Sequence, residues 1–394
     1  MKTSTLKTWC WVHRWSSLVC MVFLLLLSIT GLPLVFHHEI DDLLGDAVRP
    51  EVLPADHPRA SLDLVVAAAK RARPGEHVQF VSADPEEPDV WAISMGRTQN
   101  SPPAENKLVL ADARTAAVLQ APDLMKRFSY IMLRLHADLF AGLPGTLFLG
   151  AMGLLFVVAI VSGVVVYGPF MRRNEFGTVR MGSATRVKWL DLHNLIGIVT
   201  LGWATVVGIT GVINALATPM FKLWQFTELA AMTAPYRGSP APHSIAPLQR
   251  AFDAALAAEP GMRPGVIAFP GTDFAGAHHY AIFMRGSTPL TARLYKPVLI
   301  DAQTAVVSGK RDMPWYLTML FVSQPLHFGD YGGMSMKIIW GLMTLATIIV
   351  LGSGLYLWLK KRNVSIEPEL AGAEPSMPSA ACVPSTTQGE GAKA

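Results

Sequence analysis

Charge is scarce in this chain and cysteine is nearly absent. Only 16% of its 394 residues are Asp, Glu, Lys or Arg, where an ordinary soluble protein carries roughly a quarter. Four runs, Leu18–Phe36, Thr146–Tyr167, Leu195–Leu216 and Ile338–Leu359, contain no formal charge at all. Each has about the 20 residues that a helix needs to cross a bilayer. A soluble globular enzyme is thereby excluded, and an integral membrane protein is expected. The 3 cysteines, Cys10, Cys20 and Cys382, lie in or beside the first run and in the tail, so the long segments between runs have no disulfide framework. Gly-x-Gly-x-x-Gly after a strand and the phosphate-cradling Gly-x-x-x-x-Gly-Lys pattern are both missing, which argues against a built-in nicotinamide or flavin domain and against ATP-driven transport. No Ser-His-Asp or zinc-protease signature is present.

What charge there is has a pattern. Lys2, Lys7 and Arg14 precede the first run, Arg172, Arg173, Arg180, Arg186 and Lys188 crowd the short loop between the second and third, and Lys360, Lys361 and Arg362 follow the fourth. The positive-inside rule then places both termini and the short loop in the cytoplasm. The segments of about residues 38–140 and 217–330 face the opposite side, the periplasm in a Gram-negative cell. These cations flank spans and form no groove-sized patch, so nucleic acid is not an expected partner; membrane lipid is. The first run is too long and lacks the small-residue cleavage site of a signal peptide, and reads as an uncleaved anchor. The Pro-, Ala- and Ser-rich tail after Glu367 reads as disordered.

The chain repeats itself. His13 is followed 17 and 18 residues later by Thr30-Gly31, and His193 at the same distances by Thr210-Gly211. His136 precedes Ser162-Gly163 by 26 and 27 residues, as His327 precedes Ser353-Gly354. In the segments between, Ser61–Arg73 and Pro247–Ala258 have the apolar spacing of amphipathic helices, stopped by Pro74-Gly75 and Pro260-Gly261. Short alternating runs follow each: His77–Val81, Val90–Met95 and Lys107–Leu110, then Val266–Phe269, His279–Met284 and Leu294–Ile300. Trp91-Ala-Ile pairs with Tyr280-Ala-Ile, and Asp112-Ala-Arg-Thr with Asp301-Ala-Gln-Thr, both at an offset of 189 residues. The expected fold is a membrane α+β protein: a four-transmembrane-helix bundle with two exported α+β domains and an internal parallel two-fold repeat. Its divisions are a first transmembrane helix in 1–37, exported domain 38–135, second helix 136–170, cytoplasmic loop 171–190, third helix 191–216, second exported domain 217–326, fourth helix 327–362 and tail 363–394.

Of the 11 histidines, His13, His136, His193 and His327 are the repeat-related ones at span entrances. Imidazole entering hydrocarbon is costly and functional by default, though a half-exposed histidine at a helix end is the bland alternative. Two neutral imidazoles from facing helices can fill both axial positions of a haem. The repeat expects His13 to face His193 and His136 to face His327, one haem near each membrane face. Cys10-Trp-Val-His13 has one cysteine where covalent haem needs two, so b-type haem is expected. Arg14 and Arg134 flank these ligands and suit haem propionates, while topology alone also explains Arg14. Gly31, Gly163, Gly211 and Gly354 either let helices approach closely or make room for a macrocycle. His37 and His38 are alternative ligands or wet helix ends. His278-His279 opens a strand and is expected to face solvent, and the tryptophans read as interfacial anchors.

Trp11-Val-His-Arg-Trp15, Leu135-His-Ala-Asp138, Asp191-Leu-His193 and Pro325-Leu-His-Phe-Gly329, with a small-residue pair closing each span, resemble the PepSY-associated transmembrane family, which includes bacterial ferric-siderophore reductases. The resemblance covers about residues 9–363. It implies PepSY-like folds for both exported domains and a bundle holding b-type haem through histidines. The function it implies is an inner-membrane di-haem oxidoreductase passing electrons outward to a ferric-siderophore or other ferric chelate, supplied by a cytoplasmic donor or by quinol. The alternative from a different class is a non-enzymatic, membrane-anchored PepSY module that binds peptides or restrains a protease.

Overall fold

The computed structural model describes residues 3–54, 56–84, 87–120, 123–171, 177–288 and 291–360. Arg172, Arg173, Lys361, Arg362, Cys382 and the tail expected to be disordered lie outside them. Helix α1 (Thr3–Val35) continues after a turn at Phe36 into α2 (His37–Leu44). The first α+β segment comprises α3 (Leu62–Ala72), β1 (His77–Ala83), β2 (Val90–Gly96), β3 (Lys107–Asp112) and β4 (Val118–Leu119). Next come α4 (Phe128–Ala137), α5 (Leu143–Met171) and α6 (Thr185–Ala215). Helix α7 (Ala217–Trp224) leads through a π-turn into α8 (Ala230–Thr233). The second segment follows with α9 (Leu248–Ala258), β5 (Arg263–Ala268), β6 (His279–Arg285), β7 (Tyr295–Asp301) and β8 (Val307–Lys310), then α10 (Trp315–Phe328) and α11 (Gly333–Lys360).

Helices α1, α5, α6 and α11 are long and apolar enough to cross a membrane. Only 22% to 28% of the most apolar window of each is buried against protein, so most of that surface needs an apolar solvent, and this is a membrane protein. Helix α1 packs against α5 and α11, and α6 packs against the same two, giving a four-helix ring. The short helices α4 and α10 lie against α1 and α6 respectively.

The strands form one sheet, not two. Its order is β4-β3-β2-β1-β5-β6-β7-β8, and every neighbouring pair is antiparallel. The two segments join edge to edge where Phe80, Val81 and Ser82 oppose Ala268, Ile267 and Val266, which leaves neither inner edge open to solvent. Both amphipathic helices cover the same face. Leu62, Val65 and Ala69 of α3 and Leu248, Ala251 and Ala255 of α9 share one core with Val81, Ile93, Ile267 and Ile282. The helices also cap one another: the Leu248 backbone N–H donates to Asp63 Oδ1 at 2.6 Å, and the Leu62 N–H donates to Gln249 Oε1 at 2.9 Å. Each thus supplies the acceptor that the other's free N-terminal N–H groups require.

The turn after β3 and the turn after β7 are alike. Asp112 Oδ1 accepts from the N–H groups of Arg114 and Thr115, and Asp301 Oδ1 from those of Gln303 and Thr304. Both turns end on an alanine in the left-handed region, Ala116 at φ 59° and Ala305 at φ 57°. The second half carries more cover on its opposite face, where Trp224 and Leu229 pack with Leu317, Leu320 and Phe321 of α10 against Ala281, Phe283 and Leu299. This contact fixes α10, and so the sheet end of the bundle.

One sequence expectation is corrected here. His279 does not face solvent: it is 1% exposed, packed edge-on against Tyr236 at 4.5 Å. Both faces of the sheet are covered at this point, which the alternation of the strand alone does not reveal. Burial, opposed by the nearby Asp301 carboxylate, holds its pKa below the usual histidine range.

Candidate functional site

The four repeat-related histidines all reach across to a neighbouring helix and make closely similar contacts. On α1, His13 extends to α5, its Nδ1 2.9 Å from the Ala159 carbonyl and 3.4 Å from Ser162 Oγ. On α4, His136 extends back to α1, with Nδ1 3.1 Å from Thr30 Oγ1. On α6, His193 extends to α11, 3.1 Å from the Val350 carbonyl and 2.9 Å from Ser353 Oγ. On α10, His327 extends to α6, 3.1 Å from the Val207 carbonyl and 3.3 Å from Thr210 Oγ1.

These contacts fix the tautomer. A carbonyl can only accept, so Nδ1 must carry the proton. The hydroxyls lead to the same result, because each already donates to its own helix: Ser162 to Val158, Thr30 to Leu26 and Thr210 to Val206, all at 2.7 Å, and Ser353 to Val350 at 2.9 Å. Their oxygens are left to accept from Nδ1–H. With Nδ1 protonated, neutral imidazole keeps its lone pair on Nε2, the form in which histidine ligates a metal.

The glycine after each hydroxyl residue makes room for the ring. A Cβ at Gly31 would lie 2.9 Å from Cε1 of His136, at Gly163 3.0 Å from Cε1 of His13, at Gly211 3.1 Å from Cε1 of His327 and at Gly354 3.4 Å from Cε1 of His193. Of the two readings open to the sequence, close approach is the one visible here, and what approaches is an imidazole. No histidine uses the Ser/Thr-Gly pair of its own span-entry frame. Seventeen residues of helix are about 25 Å long, so His13 cannot meet Thr30.

The rings gather at two levels. His136 and His327 have centroids 6.1 Å apart with planes at 61°. His13 and His193, the corresponding histidines of α1 and α6, form the second set. We call the first the near pair, since α10 packs on the sheet, and the second the far pair. A metal about 2 Å from one nitrogen of each ring separates the centroids by roughly 6 Å. Aromatic pairs without a metal also use this spacing, so the shared tautomer, and not the spacing, is the feature that would suit ligation.

Residues 10–361 match the PepSY-associated TM region. The chain belongs to this family. It is also similar to a protein of Pseudomonas aeruginosa described as uncharacterized, at 27% identity over 257 residues, covering 59% of this chain and 63% of that protein. The chain thus spans less than two thirds of that relative's length.

In this PepSY-associated TM protein the flanking cations differ in what already holds them. Arg134 is engaged by Asp138 through Nε at 3.0 Å and a second guanidinium nitrogen at 2.9 Å, and by the Tyr130 hydroxyl at 3.1 Å. Arg14 stacks over Trp15, and its buried Nε has no hydrogen-bond partner among the described residues. Of the two, Arg14 is the one with a donor to offer a carboxylate. His37 is turned back to the end of α1, Nδ1 2.9 Å from the Leu34 carbonyl, and stacks on His38 at 4.1 Å. Neither His37 nor His38 joins the two pairs. His327 lies within α10, as His136 lies within α4, so both near-pair histidines ride on short helices ahead of the spans instead of at span entrances.

Three ion pairs around these levels were not singled out by sequence. Asp191, whose side chain is fully buried two residues before His193, accepts from the Arg180 backbone and guanidinium at 2.8–3.0 Å. Lys337, its side chain 8% exposed, pairs with Glu39 at 2.8 Å. Arg293 of the second α+β segment pairs with Asp330, three residues after His327. The available signal was charge close to a candidate ligand in an otherwise uncharged stretch.

Proposed function

We propose that the protein is an inner-membrane electron-transfer protein that holds two b-type haems, one at the far pair and one at the near pair, and reduces ferric iron on the sheet side. The substrate is a ferric-siderophore or a similar ferric chelate. The observation that carries this reading is the fourfold recurrence of one arrangement: Nδ1–H bonded to a Ser or Thr hydroxyl, in three of the four also to a backbone carbonyl, with Nε2 left with its lone pair. A structural histidine needs only one satisfied polar contact, and nothing in packing requires four histidines to adopt the same tautomer at two levels.

When bound, haem supplies one-electron redox chemistry at each level. The chain's own contribution is to hold and orient. The hydroxyl beside each Nδ1, joined in three of the four by a backbone carbonyl, fixes the ring and raises the basicity of Nε2. Arg14 offers a donor to a propionate, while Arg134 is occupied by Asp138. The far pair is the donor side and the near pair the acceptor side, the positive flanks of the spans placing the far pair by the cytoplasm. The two sheet halves are PepSY-like modules exposed to the periplasm. Their matched Asp turns, reciprocal caps and mirror-ordered strands support the two-fold repeat. Reduction serves release because Fe(II) fits hard oxygen donors less well than Fe(III).

An absorption spectrum of the purified protein, first oxidised and then reduced with dithionite, tests the reading. Six-coordinate b-type bands that sharpen on reduction are expected. Absence of a Soret band after expression with ample haem removes it.

A further inference from the structure

A groove of about 420 Å³ runs between α1 and α11, within the size range of small-molecule sites. Trp15, Val19 and Val22 form one wall, and Gly352, Leu355 and Trp358 the other. Val22 is 70% exposed and Val19 52%, on a part of the helices that meets lipid, so the groove opens sideways into the bilayer. Its floor abuts the seat of His193. Met21 lines the groove and its methyl lies 4.0 Å from a Cβ position at Gly354, the glycine that seats His193. Gly352, also lining it, adjoins Ser353, whose hydroxyl holds His193 Nδ1. Among the lining residues only Trp15 and Trp358 have side-chain hydrogen-bond donors, and both stand at the end where His13 and His193 enter.

Resting on the electron-transfer reading, we infer that this groove is the docking site of a prenylated quinol, which donates electrons to the far pair. An apolar slot open to lipid suits a prenyl tail, a pair of indole N–H groups suits the quinol oxygens, and the floor brings the ring beside the seat of His193. In the reaction both quinol O–H bonds break. His13 and His193 would hold the haem that takes up the two electrons one at a time, and the quinol would become quinone with release of two protons. The protons leave to water at the Trp15/Trp358 mouth. A phospholipid acyl chain would be content with the same walls but has no use for the indole donors or for the imidazole behind them.

Full-length protein in lipid nanodiscs, illuminated with a short-tailed azido-benzoquinone, gives a reading that needs no haem. Label is expected on Trp15–Leu25 and Leu351–Trp358. A Cβ at Gly352 meets nothing within 4 Å, so Gly352→Leu plugs the groove without a clash; Val22→Phe is a second plug. Each should lower labelling about tenfold, whereas Gly202→Leu, at an equally open glycine on α6, should not. With the matching short-tailed quinol as reductant, the plugs should slow haem reduction by a similar factor and leave the Soret band and dithionite reduction unchanged. Label spread evenly over the lipid-facing residues of all four spans, or indifferent to both plugs, identifies an acyl-chain furrow and overturns the proposal. Focused, plug-sensitive label without a Soret band keeps the quinone site and removes the electron-transfer reading instead.

Discussion

His13 and His193 are carried by membrane helices of 33 and 31 residues, while His136 and His327 are carried by α4 and α10, of 10 and 14 residues. The seats follow the same division. Both far-pair rings bond to a serine, Ser162 or Ser353, and both near-pair rings to a threonine, Thr30 or Thr210. Far-pair geometry is thus set by the long rods themselves, with Arg180 of the loop holding Asp191 beside His193. Near-pair geometry depends on helices tied to the sheet and on two corners, residues 138–142 and 329–332. In the first corner Leu139 and Phe140 both sit in the left-handed region, at φ 54° and 59°, a conformation that costs non-glycine residues about 1 kcal/mol or more each. The lesson is that one seat design is mounted in two ways: one pair is built into the frame, and the other is attached to the sheet.

Removing a ligand breaks the comparison most completely. His193→Ala and His136→Ala should each lose about half of the bound haem, measured as a pyridine haemochrome, and leave the other level's spectrum intact. Loss of both from either variant would show that the levels are not independent. Filling the seats comes next. Gly31→Ala and Gly163→Ala force a Cβ to within about 3 Å of a ring and should cost about 1–3 kcal/mol at their own level, read as lowered haem retention on dilution. Gly354→Ala, whose Cβ would sit at ordinary contact distance, should cost much less. A third, smaller effect separates the sheet from the seats: Asp63→Ala removes the cap of α9 and should lower the stability of the sheet by about 1 kcal/mol without moving the bands of either pair. Smallest, and opposite in sign, Ala116→Gly and Ala305→Gly relieve left-handed alanines and should each raise the melting temperature slightly, by up to about 1 kcal/mol of stability. A lowered melting temperature would mean that the methyl groups, 8% and 5% exposed at their residues, contribute more through packing.

Much of the bundle and its candidate ligands was legible because membrane helices write their lengths in charge-free runs and because the repeat writes each histidine twice. The strands were legible from alternation, except β8, whose Val307–Lys310 lacks a buried apolar pair to mark it. Partnership was not legible. The constant 17-residue spacing from His13 to Thr30 invites a pairing that helix rise forbids, and only the packing of α1 on α5 shows that His13 is seated by Ser162 and Gly163. Nor could the sequence say that the two α+β segments fuse. Edges of β1 and β5 carry ordinary strand residues, and backbone N–H and C=O groups pair without regard to side-chain identity. His279 was misplaced for a related reason: whether both faces of a strand are covered depends on α8 and the turn around Tyr236, far away in sequence.

The fused sheet has one more consequence. Membrane proteins built from two similar halves commonly carry cargo by rocking one half against the other about a central site. Here such rocking would have to tear the β1–β5 ladder and pull Asp63 off Leu248 and Gln249 off Leu62 at every cycle. The clasp on the sheet side thus opposes rocking of one half against the other. The proposed electron transfer needs no separation of the two halves, whereas carriage of a chelate by rocking would.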